Sequence, residues 1–161
     1  MYKKIFIAID NSLYSNFCID LGVTLSQKYG SSLVGCHVYD ATLHQRRFRD
    51  MEKGLPAQYQ DESILQRQRD LHSSLINLGL KLISESYLDV FKNKCIEMAV
   101  PHEELLLEGK NYYEIIKEVQ GNRYDLVILG ALGLAAVNEQ VIGSVCERVV
   151  RRIKNDVLVV K

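Results

Sequence analysis

The chain has 161 residues, of which 47% are hydrophobic and 25% charged, a balance typical of one globular domain with room for a core. Basic and acidic residues number 20 each, so the formal net charge of zero gives no electrostatic case for a nucleic acid or an anionic membrane, and neither is expected as a partner. The apolar runs are only of strand length and no signal peptide is recognisable, so we expect a cytoplasmic protein. The four cysteines and four histidines lack metal-ligand or CxxC spacing, which favours reduced thiols and no metal site.

The first part of the chain alternates a strand pattern with a helix pattern. Residues 4–10 (KIFIAID) predict a buried strand, and a helix is expected from Ser12 or Ser15 to residue 29. A second apolar strand is predicted at residues 32–38. Residues 39–62 are polar and charged around one glycine and one proline, which indicates a long, partly mobile connection.

Helical spacing returns after this connection. Gly79 is a candidate break in the helix, and the helical pattern resumes over residues 82–98. A third strand is expected at residues 104–107. Large apolar residues at spacings of 7, 4, 3 and 4 predict one helix face made of Ile64, Leu71, Leu75, Leu78 and Leu82.

The last third repeats the alternation. Asn111 and Glu114 have the spacing of a capping box, so a crossover helix is expected there. Residues 125–129 predict the most apolar strand, followed by a glycine-punctuated loop, a helix over 143–153 and a final strand over 157–160. Regular strand–helix alternation predicts an α/β fold, a parallel sheet with helices on both faces. Ligands bind such sheets beyond the carboxyl ends of the strands, which directs attention to the segments after strands one and four.

Three glycines and a serine punctuate the segment after strand four. Gly130 and Gly133 are followed by nine residues and then by Gly143 and Ser144. Glycines let backbone N–H groups approach an anion, and a helix that starts near Gly143 directs free N–H groups toward it. Neither a Walker A motif nor a GxGxxG fingerprint is present. A structural interpretation remains open, in which the glycines end a strand and form a turn while Ser144 and Glu147 make a capping box.

The pattern G-x-x-G, nine residues, G-S resembles the nucleotide-binding signature of the ATP-binding branch of the universal stress proteins. The segment from Ile142 through Arg148 to residues 157–160 resembles the end of that family's domain, and the first strand ending in Asp10 and the strand end at Gly109 also fit. The resemblance covers essentially the whole chain, 1–161, as a single domain. It implies a Rossmann-like (HUP-type) open parallel five-stranded sheet with strand order 3-2-1-4-5.

The resemblance also implies a nucleotide site. Residues that end strand one would surround the adenosine, with Asp10 near the ribose and phosphates; Val38 and Leu129 would border the adenine, and the glycine loop would cradle the phosphates. For Asp10 a turn-forming role is the alternative, and for Val38 and Leu129 plain core packing. The cofactor is expected to be ATP with Mg²⁺, or else ADP or AMP. The candidate cofactor-binding residues are Ala8, Ile9, Asp10, Val38, Leu129, Gly130, Gly133, Gly143, Ser144 and Val145.

The loop departs from the family pattern in its side chains. Ala131 and Leu132 stand where the family commonly has polar residues, and Leu134, followed by two alanines (135–136), stands where a basic residue is common. Local positive charge is therefore missing, which puts the affinity and the preference for ATP in question. Either the arginines of the long connection (46, 47 and 49) close over the phosphates, or that connection is a solvated charged loop.

Two functions follow as hypotheses. The first is a nucleotide-dependent regulatory module of the stress response with at most slow ATP hydrolysis, because no catalytic constellation or metal-ligand cluster is visible in the sequence. The alternative is a protein-interaction module of the same fold that does not use nucleotide. The family resemblance further implies a homodimer through the apolar strand 157–160, and a regulatory role requires a protein partner that the sequence does not identify.

Overall fold

The protein folds as a five-stranded parallel sheet whose strand order is the one implied by the family resemblance. The computed structural model describes residues 1–134 and 141–161. The strands run in the order β3-β2-β1-β4-β5, which confirms the predicted order 3-2-1-4-5. In chain order the elements are β1 (Lys4–Ala8), α1 (Leu13–Tyr29), β2 (Ser32–Tyr39), α2 (Thr42–Glu52), a 3₁₀ turn (Ala57–Tyr59), α3 (Glu62–Glu97), β3 (His102–Glu108), α4 (Asn111–Gly121), β4 (Leu126–Gly130), α5 (Ser144–Val150) and β5 (Asp156–Val160).

Helices cover both faces of the sheet, as predicted. The central strand β1 alternates its side chains between two hydrophobic cores, because successive residues of a strand point to opposite faces. Ile5 and Ile7 pack in the core under α1 and α3, whereas Phe6 packs in the core under α4 and α5. All three side chains are fully buried. The sheet is wound in two directions from β1, which pairs with β2 on one side and β4 on the other.

Of the two starts predicted for the first helix, Ser12 is correct and Ser15 is not. The Ser12 side chain accepts a hydrogen bond from the Ser15 N–H (3.2 Å), so Ser12 is the N-cap of α1 and Ser15 lies inside it. Gly30 ends the helix with a positive φ of 72°, a conformation that favours glycine, and its N–H donates to the Ser26 carbonyl (2.8 Å).

The capping box predicted at the start of α4 is wrong, and the one considered as an alternative at the start of α5 does not form either. The N-cap of α4 is Lys110, and Asn111 is already the first helical residue. The N-cap of α5 is Gly143, which places Ser144 at the first helical position. Among residues 1–134 and 141–161, no side chain caps either helix. The S/N-x-x-E spacing is present in both segments, but each helix starts one residue earlier than the box requires.

The long connection over residues 39–62 includes regular secondary structure. It contains helix α2 and the 3₁₀ turn, and it leads into α3, which runs for 36 residues without a break at Gly79. The N-terminal half of α3 packs against α2, where Arg69 pairs with Glu52 (2.8 Å) and the Phe48 ring stacks on His72 (4.1 Å between centroids). Together these two helices form a hairpin at the carboxyl side of β2.

The helix face predicted to be apolar is not the face that packs on the sheet. Toward its C-terminal end α3 buries Ser84, Leu88, Phe91 and Cys95, whereas the predicted face from Ile64 to Leu82 lies in solvent. None of the helices within the described residues has the length and apolar character needed to cross a membrane.

Candidate functional site

A cavity of about 300 Å³ opens at the carboxyl edge of the sheet, where β1, β2 and β4 end and α4 and α5 begin. This is the switch point at which ligands bind open α/β sheets. Residues that are far apart in the sequence meet here because all parallel strands end on the same edge. The lining includes all ten predicted residues: Ala8, Ile9, Asp10, Val38, Leu129, Gly130, Gly133, Gly143, Ser144 and Val145. Their role in binding a nucleotide remains a prediction.

Asp10 connects the two loops that border the cavity. One carboxylate oxygen, Oδ1, accepts from the Ser12 N–H (3.0 Å), and the Asp10 N–H donates to Ser15 Oγ (3.1 Å). The other oxygen, Oδ2, accepts from the Leu134 N–H (3.2 Å) in the glycine-rich loop. The turn-forming role of Asp10 is therefore observed, and the same side chain holds the β4–α5 loop against the β1–α1 turn.

The glycines of the loop stand where a side chain would not fit. A Cβ on Gly133 would lie 2.5 Å from Asp10 Oδ2, and one on Gly130 would lie 2.9 Å from Tyr14 Cβ. At Gly143 the nearest atom to a Cβ would be the Ala131 carbonyl oxygen at 3.3 Å. These positions require glycine because neighbouring backbone, the Tyr14 side chain and the Asp10 carboxylate approach them closely.

Hydrogen bonds of Ala131 fix the base of the loop. Its N–H donates to the Val160 carbonyl on β5 (2.7 Å), and its carbonyl accepts from the Gly143 N–H (2.6 Å). The two ends of the loop are thereby held together at the edge of the sheet. The two alanines at positions 135–136, which the sequence analysis singled out, lie outside the part of the chain that the structure describes.

The start of α5 offers backbone donors at the lip of the cavity. The first hydrogen bond of the helix joins the Glu147 N–H to the Gly143 carbonyl (3.0 Å). The N–H groups of Ser144, Val145 and Cys146 therefore have no acceptor within the helix. All three residues line the cavity, so these donors are available to an anionic ligand.

The deep part of the cavity is apolar. Val38 and Leu129 are 7% and 2% exposed, and they form a slot with Ala8 and Ile115. The apolar lining of this slot disfavours a charged group and suits an apolar part of a ligand. Val38 and Leu129 also belong to the core under α4 and α5, so core packing accounts for them as well.

His37 lies beside this slot in a defined tautomer. Its Nδ1 is 2.6 Å from the Ile9 carbonyl oxygen, and because a carbonyl can only accept, Nδ1 carries the proton. Nε2 is then the acceptor of the neutral ring. Burial lowers the pKa of His37, so the imidazole is neutral at physiological pH. The Tyr87 ring packs edge-on against it (5.1 Å between centroids) and fixes its orientation.

Positive charge near the cavity comes from residues that the sequence analysis missed. The Arg148 guanidinium lies 4.5 Å from the centroid of the Tyr112 ring, and the Lys110 ammonium lies 5.3 Å from it. Lys110 first, and then Arg148, lowers the pKa of the Tyr112 phenol. Within the described part of the chain neither cation takes part in an ion pair.

These two cations adjoin residues of the cavity wall. Lys110 precedes Asn111, which lines the cavity, and Arg148 lies one helical turn after Ser144 on the same side of α5. The strand end at Glu108–Gly109 could have indicated Lys110 from the sequence, because the residues that follow each strand of a parallel sheet lie at the same edge. The arginines 46, 47 and 49 instead lie exposed on α2, and none of them lines the cavity.

The described residues show no ready-made metal site. Among residues 1–134 and 141–161, no three His, Cys, Asp or Glu side chains are placed to hold a metal ion. All four cysteines are buried and free, which agrees with the expectation of reduced thiols. Burial is the main reason that the pKa of the Cys18 thiol is raised to about 12, and burial also raises the pKa of Cys146.

Comparison with known proteins identifies a family over the full length. The model of the "Universal stress protein family" matches residues 1–161. The chain is 27% identical over 161 residues to universal stress protein MJ0531 of Methanocaldococcus jannaschii, a match that covers 100% of this chain and 83% of the relative.

Solved structures of the same kind share the fold. The structure of hypothetical protein MJ0577, a protein of Methanocaldococcus jannaschii, superposes with a TM-score of 0.76 at 20% identity and covers 100% of this chain and 96% of its own. A universal stress protein family protein from Arabidopsis thaliana, At3g01520, solved with AMP bound, gives a TM-score of 0.58 at 19% identity over 99% of this chain and 91% of its own. At these identities the likeness shows a common architecture.

Proposed function

The chain belongs to the universal stress protein family, and on this basis we propose that it is an ATP-binding member, a cytoplasmic regulatory module whose state depends on bound nucleotide. One observation carries the proposal. The apolar slot, the Asp10 turn and the glycine-rich loop, which the sequence places in three separate segments, surround a single cavity at the switch point of the sheet.

The chemistry of the lining fits the parts of ATP. The slot beside Val38 and Leu129 accepts the adenine, and the N–H groups at the start of α5 donate to phosphate oxygens. The close approach at Gly133 leaves a cradle that a side chain would fill. Mg²⁺ enters with the phosphates, since protein sites for this ion usually supply one or two carboxylates and leave the remaining ligands to phosphate and water.

The bound nucleotide acts mainly as a signal. No nucleophile and general base meet in the lining residues that the structure describes, so at most slow ATP hydrolysis is proposed. A change of nucleotide alters the loop and α5, both of which lie at the protein surface, and thereby changes the surface that a protein partner contacts. ADP or AMP would occupy the same slot, as the AMP bound to the Arabidopsis relative suggests for this fold.

Calorimetry tests the proposal. Protein freed of carried nucleotide is titrated with Mg-ATP, and saturable binding of about one ATP per chain is expected. A folded protein that gives no saturable heat with ATP, ADP or AMP would overturn it. Folding is checked in the same sample by circular dichroism, so that lack of binding is not confused with lack of structure.

Arg148 is expected to favour ATP over AMP. It lies one turn from Ser144, within the screening length of about 8 Å at physiological salt, and its attraction grows with the charge of the ligand. Arg148→Ala should lower the affinity for ATP about tenfold and the affinity for AMP only about twofold. Calorimetric titration of both nucleotides measures the ratio.

Arg151→Ala is the matched control for this prediction. Arg151 is the C-cap residue of the same helix, and its guanidinium is paired with Glu147 (2.8 Å), which offsets part of its charge. Equal loss of ATP and AMP affinity in Arg148→Ala, or the same loss in Arg151→Ala, would show that Arg148 does not select for phosphate charge.

A second candidate function rests on the apolar character of the loop. Leu134 and Val141, on either side of the undescribed residues, are 64% and 65% exposed, and Ile142 is 45% exposed. Exposed apolar side chains at a functional edge are typical of a protein-binding surface. If calorimetry shows no nucleotide binding, a protein-interaction module of the same fold becomes the favoured function.

We further propose a homodimer through the edge strand β5. The Val160 carbonyl bonds to β4, and because backbone groups alternate sides along a strand, those of Val157 and Val159 point outward from the sheet. Val159→Pro removes an outward donor and is tolerated best on an edge strand. It should shift sedimentation from dimer toward monomer while circular dichroism stays unchanged. Unaltered sedimentation of this variant would count against the β5 dimer.

A further inference from the structure

We propose that α3 carries a second self-association surface, at which its exposed leucine stripe (Leu71, Leu75, Leu78 and Leu82) packs antiparallel against the same stripe of a second copy. This surface is separate from the β5 edge and from the cavity. The proposal therefore does not depend on nucleotide binding.

The leucine stripe has no cover within the described structure. Its four side chains are 57–62% exposed, although each is large and apolar. Helix α2 packs on another side of α3, through Arg69 and His72, and the sheet packs on a third side, through Leu88 and Phe91. Neither hydrophobic core includes any member of the stripe. A contiguous apolar stripe of this kind marks an interaction surface.

The spacing of the stripe specifies a helical partner. The leucines follow one another at intervals of 4, 3 and 4 residues, which is the a/d repeat of a left-handed helix pair. A strict 3.5-residue repeat keeps the stripe facing a second helix over its length, whereas a flat sheet or a small ligand would impose no such period. Leucines at both positions interdigitate as knobs into holes.

Charges beside the stripe favour a second copy in antiparallel register. With Leu75 opposite Leu78 of the second copy, Leu71 lies opposite Leu82. In this register Lys81 of each copy lies within about 3 Å along the axis of the second copy's Asp70, on the same flank of the pair. The symmetry repeats the contact, so two such pairs form. A parallel in-register pairing would instead separate Lys81 from the second copy's Asp70 by about 16 Å along the axis.

A second pair of charges agrees with the same register. Arg67 of each copy comes level with Glu85 of the other, within about 1.5 Å along the axis. None of the four charged residues takes part in an ion pair in the described part of the chain, although Asp70 Oδ1 accepts a hydrogen bond from Gln66 Nε2 on the same helix (2.8 Å). Glu85 lies three residues after Leu82, at the next position of the same spacing, so this pair sits at each end of the leucine contact, and opposite charges beside a leucine seam select the orientation of paired helices.

The size of the surface predicts a reversible complex. Eight leucines that each bury roughly 100 Å², together with the flanking charged side chains, cover on the order of 1,000 Å² in total. This lies at the lower limit for a specific interface, so association should depend on concentration in the micromolar range. Combined with the β5 edge, it would link dimers into larger assemblies.

Sedimentation of the full chain tests the proposal. Leu75→Glu places a charge in the stripe at an exposed position, so the fold is retained and association through α3 should weaken at least tenfold. Ile96→Glu is the matched control, because Ile96 is equally exposed (59%) on the same helix but lies beyond the paired region. To isolate this contact from β5, the same pair of variants is also compared in the Val159→Pro background. If Leu75→Glu associates as wild type does in both backgrounds, the proposal is overturned.

Charge reversal tests the register. Lys81→Glu and Asp70→Lys should each weaken association, and the double variant should restore it, because the reversed pair is again complementary. In addition, a mixture of Leu75→Cys and Leu78→Cys proteins should form a mixed disulfide dimer faster than either variant alone. Lack of restoration together with lack of mixed cross-linking would overturn the antiparallel arrangement.

Discussion

Gly133→Val is expected to weaken nucleotide binding about 100-fold or more. A Cβ at this position would lie 2.5 Å from Asp10 Oδ2, so a valine forces the loop away from the β1–α1 turn. The displaced backbone breaks the bond from the Leu134 N–H to Asp10, and the added methyl groups fill the cradle proposed for the phosphates. Calorimetric titration with Mg-ATP measures the loss, and the thermal unfolding midpoint should change little because Gly133 is exposed.

Gly121→Ala is the control for this prediction. A Cβ at Gly121 meets no atom within 4 Å, and the residue lies at the end of α4, away from the cavity. ATP should bind this variant as it binds wild type. Should Gly133→Val retain wild-type affinity, the glycine-rich loop does not hold the ligand, and the cavity must be used differently or not at all.

Phe91→Ala should lower the free energy of unfolding by about 3–5 kcal/mol, a large share of the stability of a domain of this size. Phe91 is fully buried and lies in the centre of the core under α1 and α3. Its ring also packs edge-on against His102 (5.9 Å between centroids). Urea denaturation measures the change. Ile96→Ala, on the same helix but 59% exposed, should cost less than about 0.5 kcal/mol.

The same ring explains Gly35 in the middle of β2. A Cβ there would lie 2.5 Å from Phe91 Cδ1 and 2.8 Å from Ile9 Cδ1, so Gly35→Ala should cost about 1–3 kcal/mol through overpacking. In a Phe91→Leu background the contact with the ring is removed and only the one with Ile9 Cδ1 (2.8 Å) remains, so the cost should fall. Equal costs in the two backgrounds would show that the ring does not determine the need for glycine at this position.

The positions of the strands were predicted from the sequence more accurately than the helix starts and the contacts of α3. Strand positions were correct to within about two residues because buried parallel strands are short apolar runs with little ambiguity. The candidate site was predicted from a resemblance, and its ten residues share one cavity because the fold brings strand ends together. From the residues alone, Gly130, Gly133 and Gly143 were equally compatible with turns.

Tertiary contacts account for what the sequence did not predict. The spacing from Leu71 to Leu82 indicated a helix face correctly, but periodicity does not tell what covers a face, and here the sheet packs on Leu88 and Phe91 instead. Gly79 does not interrupt α3, because a single glycine costs only about 1 kcal/mol and the contacts on either side of it maintain the helix. The pair Lys110 and Arg148 is 38 residues apart in the sequence and meets only because α4 and α5 pack side by side.

The bonds made by Ala131 have a thermodynamic consequence. Its N–H donates to the Val160 carbonyl on β5, the strand proposed to pair with a second copy, and its carbonyl accepts from the Gly143 N–H at the far end of the glycine-rich loop. If a bound ligand orders this junction and thereby strengthens pairing of β5 with a second copy, then pairing must strengthen ligand binding by the same factor. Nucleotide affinity measured at a single protein concentration is then an incomplete description, and the two equilibria have to be determined together as a closed cycle.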